Sequence, residues 1–216
     1  MSETITDRLA NCYTGVVHDV LRKAGLVDFV LPPRLRPILS GKPLAGPAFT
    51  ILGRVDPTAD AHDTLLAWTG LLSQCPPGHV WVCQPNDDTV AHMGELSAET
   101  LKDKGVRGAV VDGMIRDVSF LDEIGFQTWC SGFTPRDIVG WWLPAAIDVP
   151  IRIGDVDIQA GDYMVGDQDG LIRIPKDRIE QTVAEAEADI GTESEIRKAI
   201  RAGVDPQQAY LKYGKF

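Results

Sequence analysis

Positive charge is scarce in this sequence: 21 lysines and arginines stand against 31 aspartates and glutamates, for a formal net charge of −10. A chain of that sign has no basic footprint for phosphates, which argues against nucleic acid as a partner. Long apolar runs are missing too. No stretch approaches the roughly 18 apolar residues of a membrane span, and no basic segment leads into an apolar one near the N-terminus. The expectation is a cytoplasmic protein with no membrane partner. Cysteine is limited to Cys12, Cys75, Cys83 and Cys130, none in a C-x-x-C pair, so reduced core thiols are expected. The histidines, His18, His62, His79 and His92, are too dispersed for a histidine zinc site. H-E-x-x-H, P-loop, G-x-S-x-G and an ordered G-x-G-x-x-G are all absent.

What remains is an ordinary globular composition of 216 residues, 44% apolar and 24% charged, long enough for one sizeable domain. Residues 6–25 carry a helical stripe (Leu9, Cys12, Tyr13, Val16, Val17, Val20, Leu21 and Ala24) stopped by Gly25. The proline-rich residues 31–47 predict a surface connector with an edge strand. A strand over 48–55, a helix over 59–72 with Ala61, Leu65, Trp68 and Leu72 on one face, and an apolar strand over 79–83 follow. With a returning strand over 125–130, that rhythm predicts an α/β fold. Residues 150–175 change character. Short alternating runs broken by Gly-Asp pairs at 154–155, 161–162 and 166–167 predict tight antiparallel strands, and Asp155, Asp162 and Asp167 read first as turn residues. Residues 176–216 predict a helical C-terminal segment, with Tyr210 on an apolar face, split at Gly191 and Gly203.

Chemistry concentrates in residues 92–117, HMGELSAETLKDKGVRGAVVDGMIRD. Gly94 precedes a short helix with Leu96 and Leu101 inward, and Gly105 ends it. Residues 108–111 form a buried strand, Asp112-Gly113 turns the chain, and Arg116-Asp117 follows. Such a unit aims the free N–H groups of a helix start and the exit of a strand at one space. An anion suits the first and a cation the second.

These blocks resemble a known pattern. Gly94-Glu95-Leu96, Gly105, Gly108 and Asp112-Gly113-x-x-Arg116-Asp117 are similar to the signature of the regulator of ribonuclease E activity A family. That family includes class II pyruvate aldolases acting on 4-hydroxy-4-methyl-2-oxoglutarate and 4-carboxy-4-hydroxy-2-oxoadipate. A later block, Gly161-Asp162, Gly166-Asp167-x-Asp169-Gly170 and Ile174-Pro175, resembles its second landmark. Pro76-Pro77-Gly78-His79-Val80 matches its strand entry with His79 in place of the usual Asp.

The resemblance implies a single α/β domain over 1–216 of the swivelling β/β/α kind, with the helical extension at 176–216. It implies a homotrimer or a pair of trimers, sites at subunit boundaries, and a divalent cation, Mg²⁺ or Mn²⁺. Asp117 is then the direct metal ligand. Arg116 faces the 2-oxo oxygen of a small 2-oxo acid, and Gly94, Glu95, Leu96 and Ser97 hold its carboxylate. Glu95 and, from a neighbouring subunit, Glu195 (or Glu193) reach water around the metal; at the start of a helix these two would equally serve capping and the dipole. The implied activity is retro-aldol cleavage of 4-hydroxy-2-oxo acids to pyruvate through a metal-stabilised enolate, with oxaloacetate decarboxylation through the same enolate. Alternatives are a non-catalytic regulator that binds ribonuclease E, or the same scaffold acting on a different small acid. Regulators of the family lack the aspartate that Asp117 supplies here. The segment 134–142 (TPRDIVGWW) is distinctive, and Arg136 with the two tryptophans fits either a substrate pocket or a core or trimer contact.

Overall fold

The computed structural model describes residues 3–215, so the Phe216 end of the predicted helical extension lies outside the described residues. The first stripe is buried except at Tyr13 and Ala24, which flank a helix and are exposed, and it is divided between two helices, α1 (Ile5–Ala10) and α2 (Thr14–Lys23). The break has a long-range cause. Asp167 accepts the Thr14 N–H at 2.8 Å and the Thr14 hydroxyl at 2.7 Å, so α2 starts at a carboxylate far along the chain. The connector carries an edge strand, β1 (Arg36–Pro37), and leads to β2 (Leu44–Val55). Helix α3 (Ala61–Gln74) is capped by Asp60. It buries Thr64, Trp68, Leu71 and Leu72, while Ala61 and Leu65, expected on that face, are exposed, Leu65 by 49%.

Strand β3 (Val80–Gln84), helix α4 (Glu95–Asp103) and strand β4 (Gly108–Val111) follow in the order predicted. Helix α4 ends as its sequence requires. Gly105 takes φ +80°, its N–H bonds to the Lys102 carbonyl, and the Val106 N–H bonds to the Leu101 carbonyl. The inward residues are Ala98 and Leu101; Leu96 is 76% exposed, against expectation, because it lies on the opposite side of the helix. Then come β5 (Met114–Ile115), α5 (Val118–Ile124), β6 (Thr128–Cys130) and β7 (Gly132–Phe133). Strand β8 (Trp142–Ile147) precedes the hairpins β9 (Ile151–Ile153) with β10 (Val156–Ile158) and β11 (Tyr163–Gly166) with β12 (Leu171–Ile174), all antiparallel as predicted.

The fold is mixed α/β. Strands β2, β3, β4 and β6 pair in parallel, with β1 antiparallel at one edge and β11–β12 at the other. The end of β2 also carries β8, with a register shift between Leu52 and Gly53. One apolar cluster joins the sheet to α3, α4 and α5 around Trp68, Trp81 and Leu101. A second joins it to the β9–β10 hairpin around Trp129. In a third, α1, α2 and the long α6 (Ile179–Arg201) pack against β11–β12. Gly191 does not divide α6: it is exposed, and buried Val183, Ala186 and Ile196 anchor the helix on both sides of it. The division falls at Gly203 (φ +91°), before α7 (Pro206–Tyr213), where Tyr210 is 52% exposed rather than on an apolar face. Among the described residues, no helix is long and apolar enough to cross a membrane.

Candidate active site

After β3, residues 85–94 run beside β5 instead of returning directly to the sheet. The Ala91 N–H donates to the Arg136 carbonyl, the His92 N–H to Met114, and the Arg116 N–H to Met93. These bonds lay the entry of α4 against the exit of β5, which is how residues 22 apart in sequence meet. The Glu95 N–H donates to Asp117 Oδ2 at 3.2 Å, and Arg116 Nε lies 3.4 Å from the same oxygen. Asp117 itself adopts φ +57°, a left-handed conformation that Asp tolerates better than most residues. Gly94 is extended (φ −155°), so its backbone does not demand glycine. Space does: a Cβ there would lie 2.7 Å from Asp117 Oδ2 and 3.2 Å from Arg116 Cγ.

Gly94, Glu95, Leu96, Ser97, Arg116 and Asp117, the residues expected to form the site, line one cavity of about 430 Å³. Helix α3 supplies a second wall with Leu65, Trp68 and Leu72; the Trp68 indole N–H donates to Ser97 Oγ at 2.9 Å. Asp137, Ile138 and Val139 supply a third. The distinctive segment 134–142 therefore does face the cavity, but through residues other than those singled out. Trp142 is fully buried, its indole N–H donating to the Pro85 carbonyl, and Arg136 stacks over Trp141 with the guanidinium carbon 5.0 Å from the ring centre. Asp137 was missed by the sequence reading. Its carboxylate lies 3.5 Å from Arg116 Nη1, and its only signal was an acidic residue directly before the buried Ile138.

Helix α4 has no side-chain N-cap. Its first turn leaves the N–H groups of Leu96 and Ser97 without intrahelical partners at the cavity wall, a natural seat for a carboxylate. Asp117 offers a hard oxygen donor. Among the described residues, no three His, Cys, Asp or Glu side chains converge as a metal cage. An ion here would have Asp117 as its one carboxylate ligand and would need water and substrate oxygens for the rest. Glu195 is not brought to the cavity within one chain: it is exposed in mid-helix on α6 and pairs with Lys198 at 2.7 Å. Glu193, also in mid-helix rather than at a helix start, accepts a hydrogen bond from the Tyr13 hydroxyl and pairs with Lys215.

Behind the cavity His92 is wholly buried, edge-on to Trp142, with Nε2 3.5 Å from Asp87 Oδ2 and no hydrogen-bond partner on either ring nitrogen. Burial pushes its pKa down to about 4, against a weaker upward pull from Asp87, so the ring is neutral near pH 7.

The chain is similar to several known proteins. Residues 14–173 match the family described as RraA-like, Aldolase/RraA. A Halalkalibacterium halodurans protein bearing the provisional name 4-hydroxy-4-methyl-2-oxoglutarate aldolase is 31% identical over 84% of this chain and 83% of its own length. Protein DlpA of Legionella pneumophila is 28% identical over 97% of this chain, which spans only 34% of DlpA. The crystal structure of Streptomyces coelicolor RraAS2, described as an unusual member of the RNase ES inhibitor RraA family, superposes with a TM-score of 0.80 at 28% identity, covering 91% of this chain and 97% of that one.

Proposed function

This chain belongs to the RraA-like family, and on that footing we propose that it is a divalent-metal-dependent lyase that cleaves 4-hydroxy-2-oxo acids and releases pyruvate. The observation that carries the reading is the single cavity shared by Arg116, Asp117 and the start of α4. The substrate carboxylate is received by the N–H groups of the first turn of α4. Arg116 sets a fixed guanidinium beside the 2-oxo oxygen, where negative charge grows as the C3–C4 bond breaks and the pyruvate enolate forms. Glu95, on the same wall, holds water beside Asp117 and so governs where the C4 hydroxyl proton goes. Asp117 would hold Mg²⁺ or Mn²⁺, whose Lewis acidity toward the 2-oxo and carboxylate oxygens removes the need for a lysine Schiff base. The Glu95 N–H and Arg116 fix one oxygen of Asp117, leaving the other for that role. Oxaloacetate, whose decarboxylation gives the same enolate, is a second substrate of this site.

We further propose a cytoplasmic homotrimer or pair of trimers, with Glu195 of a neighbouring subunit reaching the water around the metal. The test is pyruvate release from 4-hydroxy-2-oxo acids and from oxaloacetate, with and without a chelator. Activity that needs the cation and is lost in Asp117→Asn supports the lyase; no release from any of them overturns it. The likeness to RraAS2 motivates a second reading, a regulator that binds ribonuclease E and needs only a surface. Capture of that nuclease, undiminished in Asp117→Asn, in a protein that releases no pyruvate would favour it.

A further inference from the structure

Two helices meet on the cavity wall through one polar contact. Trp68 of α3 is almost wholly buried, edge-on to Trp81 and Trp142 at centroid distances of 5.6 and 5.9 Å. A ring wedged in this way keeps one orientation. Its indole N–H meets Ser97 Oγ at 2.9 Å, whereas the buried indole N–H of Trp81 beside it meets no acceptor. An indole N–H can only donate, so Ser97 Oγ must accept. The Ser97 hydroxyl proton is then left to be donated elsewhere, and among the described residues it is given to no acceptor. The carbonyl that a helical serine ordinarily uses, here that of Met93 four residues back, accepts the Arg116 N–H. Ser97 and Trp68 both line the cavity, on the wall where the first turn of α4 leaves the Leu96 and Ser97 N–H groups without intrahelical partners.

We propose that Trp68 is a positioning residue for substrate binding. Its indole N–H takes one lone pair of Ser97 Oγ and so turns the hydroxyl proton toward the cavity, where it donates to the substrate carboxylate. This rests on the lyase reading above and adds to it a third donor beside the two N–H groups of α4, together with the residue that aims it. A hydroxyl aimed at a carboxylate makes a short, charge-assisted bond. Left to rotate, the same hydroxyl divides its time among water and nearby backbone carbonyls. The carboxylate next to the 2-oxo group keeps its charge from bound substrate to pyruvate, in aldol cleavage and in oxaloacetate decarboxylation alike. A bond to it therefore strengthens binding equally before and during the reaction, and its loss is read in KM rather than in kcat.

The test uses the whole chain loaded with Mg²⁺. Pyruvate release from oxaloacetate and from 4-hydroxy-4-methyl-2-oxoglutarate is followed by coupling to lactate dehydrogenase, and pyruvate affinity is read separately by calorimetry. Ser97→Ala should raise KM and the pyruvate Kd about 10- to 10²-fold, the worth of one hydrogen bond to a charged group, with kcat within about threefold. Trp68→Phe, which keeps a ring between Trp81 and Trp142 but has no N–H, should raise both about three- to tenfold. Added to Ser97→Ala, it should change neither further by more than about twofold, because Trp68 acts through that hydroxyl. Where Trp68→Phe does not fold, 3-benzothienylalanine incorporated at position 68, with sulfur in place of the N–H, makes the same comparison at nearly constant volume. An unchanged KM and Kd in Ser97→Ala overturn the inference and leave the lyase standing. So does a position-68 effect equally large with and without the Ser97 hydroxyl, which would make the indole a wall and nothing more. Release from neither substrate by the unaltered protein removes the lyase reading and this inference with it.

Discussion

Gly94→Ala isolates the geometry of the site from the stability of the fold. Position 94 is extended, a conformation any residue adopts, so the substitution adds no backbone strain. By reducing the freedom of the unfolded chain it should stabilise slightly, by about 0.4–1 kcal/mol, before any clash is counted. The clash is local: the new methyl carbon starts 2.7 Å from Asp117 Oδ2. An ordinary contact needs roughly 3.3 Å or more, so the carboxylate must retreat by about half an ångström. Retreat weakens the 3.2 Å bond from the Glu95 N–H and turns the metal-facing oxygen. Constellations of this kind tolerate about 0.5 Å of error, and a misplacement of about 1 Å costs about 10²-fold. The expected result is a melting temperature within a few degrees of wild type, with kcat for pyruvate release down about 10- to 10²-fold. The two readouts are a thermal melt and the coupled assay on the same preparation. Full activity in a well-folded Gly94→Ala protein would refute the placement of Asp117 at the centre of the chemistry.

Arg116→Ala should lower kcat by on the order of 10²–10³ with the fold intact, since it removes one charge-stabilising donor from a partly exposed side chain; circular dichroism and steady-state kinetics decide it. Asp117→Asn keeps the shape and tolerates the same left-handed backbone, so its melt should be unchanged while the Mg²⁺ or Mn²⁺ concentration for half-activity rises at least about tenfold. His92 predicts a pH dependence of stability. Its folded pKa is held at about 4, below the ordinary 6.5, so between those values the unfolded chain binds the extra proton and stability falls as pH drops. At about 1.4 kcal/mol for each pH unit, the loss between pH 7 and pH 4 is about 3 kcal/mol, and urea titrations of His92→Gln should lack it. Asp87, which burial pushes up but bonds from Thr89 and Val90 hold below its usual value, adds a loss of its own as pH falls into the ordinary carboxylate range.

Much of the fold was legible because its signals are local. Gly105 needed only its own helix to mark an end, and the alternation in residues 150–175 named hairpins without reference to anything else. What escaped was decided at a distance. The helical stripe of residues 6–25 continues through the break before Thr14, and nothing nearby announces that Asp167 will take the Thr14 N–H. Leu65 and Leu96 look like core residues, yet both border a cavity, and an apolar residue gives the same signal whether it faces a core or a ligand. Gly191 looked like a stop, but packing on either side outweighs a cost of about 1 kcal/mol. At the site, Arg116 and Asp117 stood out from their turn, and Glu95 only through the family resemblance. Asp137 was not, because its importance comes from meeting Arg116 across a loop.

The aspartates of the second landmark have a different job. Asp162, 2% exposed, gathers the Gln159 and Lys176 N–H groups and the Arg173 guanidinium, while Asp167 fastens α2. Neither lines the cavity that holds Asp117. A descendant that exchanged Asp117 for an inert residue would keep every bond these two make, and with them its outer form. Reactivity and architecture can thus be inherited separately, so an extinct catalyst of this build would remain a well-formed surface, open to employment for something other than chemistry.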